Sequence, residues 1–316
     1  MYRFQHSTDL SKFYVIATAF NPVRFKSRYE LYERFKADMD VAKVNMVTVE
    51  LALGERPFEV TQPGNPFHVQ LRTQDEIWHK ESALNVALQR LPADWQYVAW
   101  IDADVHFARA DWAQETVQRL QHHPVVQMFE SAIDLGPEGQ AIKNHRSFAK
   151  AYHLNDVHAQ PKASSGGEGF PQHPGYAWAA RRDALEATGG LYDTAILGSA
   201  DHHMAAAIIG RVHDFRPKGI HKAYARNLDV WQDRAKALHK DLGFVEGTLL
   251  HWWHGPKADR KYKDRWSILL KHGFDPDRDL QRDTQGLWKL SQRGERLRRD
   301  IRLYFHQRNE DSIQGD

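Results

Sequence analysis

The amino-acid sequence predicts an α/β fold whose mostly parallel sheet is flanked by helices. Three apolar runs rich in β-branched and aromatic residues indicate buried strands at 13–20, 44–51 and 97–101. Helical spacing of apolar residues separates them at 26–40 and 76–91. This alternation is typical of a parallel sheet with right-handed crossovers, in which ligands bind beyond the carboxyl ends of the strands.

Length and composition restrict the class of protein. The chain has 316 residues, of which 41% are apolar and 27% charged, and its formal charge is +2 because 43 Lys and Arg oppose 41 Asp and Glu. The composition is typical of a globular protein, and the small net charge gives no overall electrostatic attraction for a polyanion. The absence of cysteine excludes disulfides, thiolate catalysis and cysteine-ligated zinc, and it favours a reducing compartment. No apolar run approaches the roughly 20 residues of a membrane-spanning helix.

The strongest single motif is an Asp-Ala-Asp turn directly after the run at 97–101. Asp102 and Asp104 would lie at the carboxyl edge of the sheet, where neighbouring carboxylates repel each other unless a cation lies beside them. Carboxylate oxygens are hard ligands that suit Mg²⁺ or Mn²⁺. The motif therefore predicts a divalent-metal site, and the alternative is a solvated turn with an Asp that caps the next helix.

A second candidate site is the His-Trp-Trp-His segment at 251–254. Two histidines three residues apart can face one side of a tight turn, and neutral imidazole is a common ligand of manganese, zinc and iron. The alternative is a tryptophan-rich core turn whose histidines bond the backbone. We expect His251 and His254 to join Asp104 in a mixed oxygen and nitrogen metal site.

A third candidate is Asp201. It begins a predicted apolar helix, directly after Gly198 and Ser199 interrupt the regular structure. A cap of the helix N-terminus is the commoner role of such an Asp. The alternative is a general base that points into a cleft.

The order of these features resembles the β-1,4-galactosyltransferase-like enzymes of the GT-A type. The family's Pro-Phe-Arg-x-Arg turn is similar to FNPVRFKSR at 20–28, and its Asn-Arg-Ala-Lys-Leu-Leu-Asn helix is similar to HKESALNVAL at 79–88. Its Asp-Val-Asp motif resembles DAD at 102–104, its Trp-Gly-Gly-Glu-Asp resembles LGSAD at 197–201, and its Met-x-x-His pair resembles the histidine pair. The resemblance covers about residues 13–266 and implies a GT-A-like (Rossmann-like) fold followed by a helical C-terminal extension.

The resemblance implies a role for each matching residue. The catalytic base would be Asp201, and the ligands of the metal ion, Mn²⁺ or Mg²⁺, would be Asp104, His251 and His254. The nucleotide would be bound by Pro22, Arg24, Arg28, Lys80 and Asp102, with Asn85 in the matching helix. Candidate substrate contacts, after a Gly- and Pro-rich loop at 163–175, are Tyr176 and Trp178, and a core position is the alternative for Trp178.

The implied activity is transfer of a sugar from a nucleotide diphosphate, with UDP favoured, to an acceptor hydroxyl with inversion at the anomeric carbon. The acceptor would be a glycan, a small molecule or a modified nucleic acid. Ala200 replaces the family's acceptor-binding glutamate, so an N-acetylglucosamine acceptor is not expected, and His251 replaces a methionine ligand. The family's Golgi anchor and disulfides are missing, which indicates a cytoplasmic enzyme of bacterial or phage origin.

We expect a transferase domain at 1–266, with a nucleotide-binding half at about 13–106 and an acceptor half at about 107–255, and a basic helical extension at 267–316. Residues 256–308 contain 15 Lys or Arg against 8 Asp or Glu, an excess of 7. The excess leaves open a DNA-associated sugar transferase that acts on modified bases, and a solvated helical face is the alternative. A metal-dependent phosphoesterase would use the same Asp and His ligands without needing a base such as Asp201.

Overall fold

In the computed structural model of the protein, residues 9–158, 172–261 and 265–314 are described, and most of the loop at 163–175 lies outside them. The strands are β1 Phe13–Phe20, β2 Asn45–Leu53, β3 His68–Thr73, β4 Tyr97–Ile101, β5 Val105–Phe107, β6 Val125–Gln127, β7 Ser131–Leu135, β8 Ala141–Ser147, β9 Gln172–His173, β10 Ala177–Arg181, β11 Leu242–Phe244, β12 Thr248–His251, β13 Leu280–Arg282 and β14 Trp288–Leu290. The helices are α1 Lys26–Ala42, α2 Lys80–Leu88, α3 Trp112–His122, α4 Phe148–His153, α5 Arg182–Thr188, α6 Ala200–Ile208, α7 Val212–Phe215, α8 Lys222–Ala235, α9 Arg265–Lys271, α10 Pro276–Asp279 and α11 Glu295–His306.

A seven-stranded sheet forms the centre of the fold. Its order is β11-β6-β10-β4-β1-β2-β3, and the pairings are parallel except those of β10, which runs antiparallel to β4 and β6. The predicted α/β class, with a mostly parallel sheet flanked by helices, is confirmed. A second sheet has the order β5-β12-β7-β8-β9, and two of its strands carry residues of the site described below.

Strand β1 shows why the central strands are apolar along their whole length. Tyr14 and Ile16 belong to one buried apolar cluster, whereas Phe13, Val15 and Ala17 belong to another. Successive side chains of a strand point to opposite faces of the sheet. The sheet is therefore covered on both faces, which is the situation that selects continuous apolar runs.

Helix α2 is shorter than the helix predicted at 76–91. The N–H of Trp78 donates to the carbonyl of Ile196 at 2.8 Å, which ties the residues before Lys80 to a distant loop instead of a helical turn. Lys80 and Glu81 consequently stand in the first turn of α2, where both line the main cleft of the molecule.

The region predicted as a helical extension also contains a β-hairpin, because β13 and β14 pair antiparallel. Its last helix, α11, packs on the core beside the main cleft. The ring of Phe305 lies 6.3 Å from that of Phe20 and 6.2 Å from that of Trp78, measured between ring centres. None of the helices within the described ranges is both long enough and apolar enough to cross a membrane.

Candidate active site

Strand pairing brings the Asp-Ala-Asp turn beside the histidine pair. Asp104 immediately precedes β5, and β5 pairs antiparallel with β12, so Val105 lies opposite His251. The N–H of Trp252 then donates to the carbonyl of Asp104 at 2.8 Å. These backbone contacts place the two motifs side by side although they are far apart in the chain.

Asp104, His251 and His254 form a buried cluster with the spacing of a metal site. The Nε2 atom of His254 lies 3.1 Å from Oδ2 of Asp104 and 3.2 Å from Nε2 of His251. The Nε2 atom of His251 lies 3.8 Å from Oδ1 of Asp104. One ligand atom from each residue is within 4.8 Å of the other two, and all three side chains are buried.

The surroundings leave these ligand atoms available to a cation. Nδ1 of His251 lies 2.9 Å from Oδ1 of Asp134, and an ionised carboxylate only accepts, so the proton is on Nδ1 and Nε2 presents a lone pair. Burial lowers the pKa of His251 to about 4 and also lowers the pKa of His254, which makes both rings neutral at pH 7. Within the described residues, the buried Oδ1 of Asp104 accepts no hydrogen bond. A set of one carboxylate and two neutral imidazoles fits a divalent cation such as Mn²⁺.

Asp134 is a site residue that the sequence analysis missed. It stands opposite His251 in the parallel pairing of β7 with β12, and it is 1% exposed. Besides His251, it contacts the Nε2 atom of His145 and forms an ion pair with Lys257. A carboxylate behind a metal-binding histidine fixes the ring and its tautomer, and no motif in the sequence marks this residue.

Tyr176 supports the same histidine. Its hydroxyl donates to Oδ1 of Asp134 at 2.7 Å, and its ring lies against His251 with 4.7 Å between ring centres. On the other side it stacks on His173 at 3.8 Å. Tyr176 lines the cleft but is only 5% exposed, and its contacts include His251 and the carboxylate of Asp134 behind it.

The partly buried Arg28 and the buried Glu310 add two charges next to the cluster. Nη1 of Arg28 lies 2.7 Å from Oδ2 of Asp104, and Nε of Arg28 lies 3.1 Å from Oε2 of Glu310. Glu310 also pairs with Arg308. Sequence reasoning missed Glu310 because it lies in a region that the family resemblance does not cover.

The other predicted nucleotide-binding residues line the same cleft. Lys80 forms an ion pair with Asp102, whose N–H donates to the carbonyl of Tyr176 at 2.8 Å. Arg24 is half exposed and pairs with Glu59 at 2.7 Å, and the cleft residues also include Pro22. The structure therefore gathers the predicted residues in one place, and their roles remain predictions.

Asp201 lies in the first turn of α6 and also lines the main cleft. Its Oδ1 atom accepts a hydrogen bond from the N–H of His202 at 2.8 Å. A Cβ atom added to Gly175 would lie 2.5 Å from Oδ2 of Asp201. The absence of a side chain at position 175 thus makes room for the carboxylate in its observed position.

Two residues quoted in the sequence analysis lie away from this cleft. Trp178 in β10 is 3% exposed, donates from Nε1 to the carbonyl of Pro174 at 2.7 Å, and lines a separate small apolar cavity. It takes the core position that the sequence left open, and a substrate contact by Trp178 stays a prediction. The side chain of Asn85 accepts a hydrogen bond from the N–H of Leu191 at 2.8 Å and donates one to its carbonyl at 2.9 Å. It thus holds the turn at Leu191 against α2.

The main cleft has a volume of about 460 Å³, within the range typical of small-molecule sites. Aromatic and apolar side chains line it, including Phe25, Tyr29, Leu53, Pro57 and Val60. The same lining contains the candidate metal ligands, basic residues and Asp201. The cleft thus combines apolar surface with charged groups.

The basic residues of the C-terminal region are largely used in ion pairs. Three pairs join the extension to acids of the α/β core, Arg282–Asp193, Arg298–Asp75 and Arg302–Glu76. Others lie within it, including Arg296–Asp279 and Lys271–Asp300. The local positive excess therefore contributes to holding the extension on the core.

Among solved structures, the chain is similar to several sugar transferases at low identity. No family model matches the sequence, and no curated protein matches it either.

One similar structure is a variant of the Drosophila β-1,4-galactosyltransferase 7 in complex with manganese, UDP-Gal and xylobiose. Its identity to this chain is 13%, over 89% of this chain and 94% of that chain, and the TM-score is 0.42. The catalytic domain of the same enzyme with xylobiose has 15% identity over 66% of each chain and a TM-score of 0.33. S. aureus TarS with UDP-GlcNAc has 12% identity over 62% of this chain and 53% of that chain, with a TM-score of 0.34. Similarities of this size do not establish a shared activity, so the function has to be argued from the cleft.

Proposed function

We propose that the protein is a metal-dependent glycosyltransferase that moves a sugar from a nucleoside diphosphate, UDP by preference, to an acceptor hydroxyl with inversion. One observation supports the proposal. The same cleft contains three candidate metal ligands, Asp104, His251 and His254, and a separate carboxylate, Asp201. A phosphoesterase would need the metal cluster alone. A transferase also needs a base for the acceptor.

The candidate metal ligands and the neighbouring basic residues suit a diphosphate. Asp104, His251 and His254 would hold a divalent cation, which would stabilise the negative charge that develops on the leaving diphosphate. The guanidinium of Arg28 and the ammonium of Lys80 line the same cleft and would form charge-assisted bonds with phosphate oxygens. The aromatic and apolar side chains of the cleft would contact the base and ribose.

Asp201 would act on the acceptor. The acceptor oxygen forms a bond to the anomeric carbon while the bond from that carbon to the diphosphate oxygen breaks, and the electron pair of the broken bond leaves with the nucleoside diphosphate. Asp201 accepts the hydroxyl proton, a contribution of roughly 10²- to 10⁴-fold in rate for a well-placed base. Attack on the face opposite the leaving group inverts the anomeric centre, as in single-displacement glycosidases.

A glycan or small molecule is the proposed acceptor. A nucleic-acid acceptor is less favoured because the basic side chains of the C-terminal region pair with acids of the protein itself. The absence of cysteine is the basis for proposing a reducing compartment such as the cytoplasm.

The test is a thermal-shift screen of nucleotide sugars with Mn²⁺ or with a chelator, followed by mass spectrometry of reactions with candidate acceptors. We expect one UDP-sugar to stabilise the protein only when Mn²⁺ is present, by about 2.7 kcal/mol at a hundred times its Kd. Glycosylated acceptor and UDP should then appear together. Cleavage of the donor to a sugar phosphate without acceptor would indicate the phosphoesterase, and equal binding in chelator would refute the metal role.

A further inference from the structure

We infer that residues 308–312, here called the C-terminal bridge, position His254 for metal binding and hold Arg28 beside the metal ligands, with Glu310 as the positioning residue. The inference deepens the proposed function and rests on the metal site proposed there. It is drawn from contacts that join the bridge to two elements of the site: the start of α1, and the loop that follows β12.

The first set of contacts holds the bridge on the start of α1. The carboxylate of Asp311 accepts hydrogen bonds from the N–H groups of Lys26 and Ser27 at 3.0 and 2.8 Å. The hydroxyl of Ser27 donates to the carbonyl of Glu310 at 2.9 Å. A carboxylate at a helix N-terminus satisfies free N–H groups and interacts favourably with the helix dipole. Arg28 is the next residue of this turn, so the bridge is fixed beside it.

The second set of contacts holds the bridge on the loop that carries His254. Nε1 of Trp253 donates to the carbonyl of Ser312 at 2.7 Å. Gly255 has a φ of 84°, and a Cβ there would lie 2.5 Å from the carbonyl oxygen of Asn309 and 2.8 Å from Cα of Glu310. Backbone packs against backbone at this point, which glycine alone permits without strain.

The side chain of Glu310 lies between the two elements and is 4% exposed. Its Oε2 atom is 3.1 Å from Nε of Arg28 and 3.6 Å from Nδ1 of His254. At 3.6 Å the contact with His254 acts through charge and is not a hydrogen bond. It offsets the charge of Arg28, whose Nη1 lies 3.5 Å from the same nitrogen.

The position of Glu310 behind the ring gives it a specific effect. Nδ1 of His254 faces Glu310, while Nε2 faces Asp104 and His251. With a cation in place of the proton at Nε2, the negative charge of Glu310 would stabilise the proton at Nδ1. Asp134 accepts a hydrogen bond from His251, whereas Glu310 would act on His254 through its charge alone. Because coupling is reciprocal, metal binding should in turn hold the bridge in place.

The experiment measures Mn²⁺ affinity by calorimetry and the visible absorption spectrum of the Co²⁺-loaded protein, both without nucleotide. Glu310→Gln keeps the size of the side chain and removes its charge. We expect it to weaken Mn²⁺ binding by about 10- to 100-fold, the usual effect of losing an outer partner of a metal ligand, and to change the Co²⁺ spectrum. The matched control is Glu59→Gln, which removes one charge from the same cleft where it pairs with Arg24, and it should leave both readouts unchanged.

The outcomes separate this inference from the proposed function. If the unmodified protein does not bind Mn²⁺, the proposed metal site fails. If it binds Mn²⁺ and Glu310→Gln matches it in affinity and spectrum, or if both variants weaken binding equally, the role of Glu310 is refuted. Should Glu310→Gln not fold, the exposed residue Asp311 offers a second variant, Asp311→Ala. Release of the bridge from α1 should lower Mn²⁺ affinity, and unchanged affinity would refute the inference.

Discussion

The Nε2 atoms of His251 and His254 lie 3.2 Å apart inside the protein. Because the Nδ1–H of His251 donates to Asp134, the Nε2 atom of His251 can only offer a lone pair towards its neighbour. The buried Oδ1 atom of Asp104, which accepts no hydrogen bond among the described residues, lies 3.8 Å from the same Nε2 atom. Unpaired acceptors gathered in a buried position are costly unless a cation or donor joins them.

Replacement of His254 by Ala should therefore abolish measurable Mn²⁺ binding at concentrations that saturate the unmodified protein. Loss of a direct ligand should exceed the roughly 10- to 100-fold effect of losing an outer partner. Calorimetric titration with Mn²⁺ measures the change, with His213→Ala as the control because its side chain is 61% exposed. Unaltered affinity in His254→Ala would show that the cluster is not the metal site.

Asp201→Asn should separate binding from transfer. The amide keeps the shape of the side chain but cannot take the acceptor proton, so we expect kcat to fall by roughly 10²- to 10⁴-fold. The Kd of the nucleotide sugar with Mn²⁺ should stay unchanged, since Asp201 faces the acceptor in the proposed arrangement. Asp214→Asn on α7, whose side chain is half exposed, is the matched control. A fully active Asp201→Asn enzyme would remove Asp201 as the base.

Gly175→Ala should reduce transfer through Asp201. The added methyl group would lie 2.5 Å from Oδ2 of Asp201 and 3.0 Å from Cε1 of His173, so the carboxylate has to move. A displacement of about 1 Å can cost roughly 100-fold in rate. The specific check is a double-mutant cycle: in an Asp201→Ala background the further change at Gly175 should have little effect on kcat. A loss of equal size in both backgrounds would point to a general disturbance of the fold.

The sequence predicted the central strands better than the site. β1 and β4 coincide with the predicted runs at 13–20 and 97–101, because strands covered on both faces are apolar throughout. Asp104 and His251 were expected to meet, yet the pairing that joins them uses β5, a strand of three residues that is too short to show a period. Asp134 was not predicted, since a lone carboxylate in a strand has no motif.

The C-terminal region illustrates the same limit. Its basic composition suggested a solvated or nucleic-acid-binding face, whereas its charges pair with acids such as Asp75 and Asp193 that lie far away in the chain. The contribution of Glu310 depends on a backbone that returns to α1 and to the loop after β12. Contacts between segments that are far apart in the chain leave no local pattern in a single sequence.

Glu81 should make the stability of the protein fall as the pH rises. Burial raises the pKa of Glu81 from 4.5 to about 8, against the opposing charge of Lys80 and with a further contribution from Asp201. Between pH 4.5 and 8 the unfolded chain ionises this group while the folded protein keeps it protonated. The unfolded state therefore binds fewer protons, and folding loses up to roughly 4 kcal/mol over this range.

Glu81→Gln removes that titration and should make the protein more stable than the unmodified form at pH 8. Below pH 4.5, where the carboxyl is protonated in both the folded and the unfolded state, the two should differ little. Urea unfolding at pH 4.5, 6 and 8 measures the difference, with Glu33→Gln at an exposed position of α1 as the control. A difference that stays constant over the three pH values would mean that Glu81 ionises normally in the folded protein. A carboxyl that costs stability at neutral pH, beside Asp201 and Lys80 in the main cleft, is expected where a site is built for chemistry.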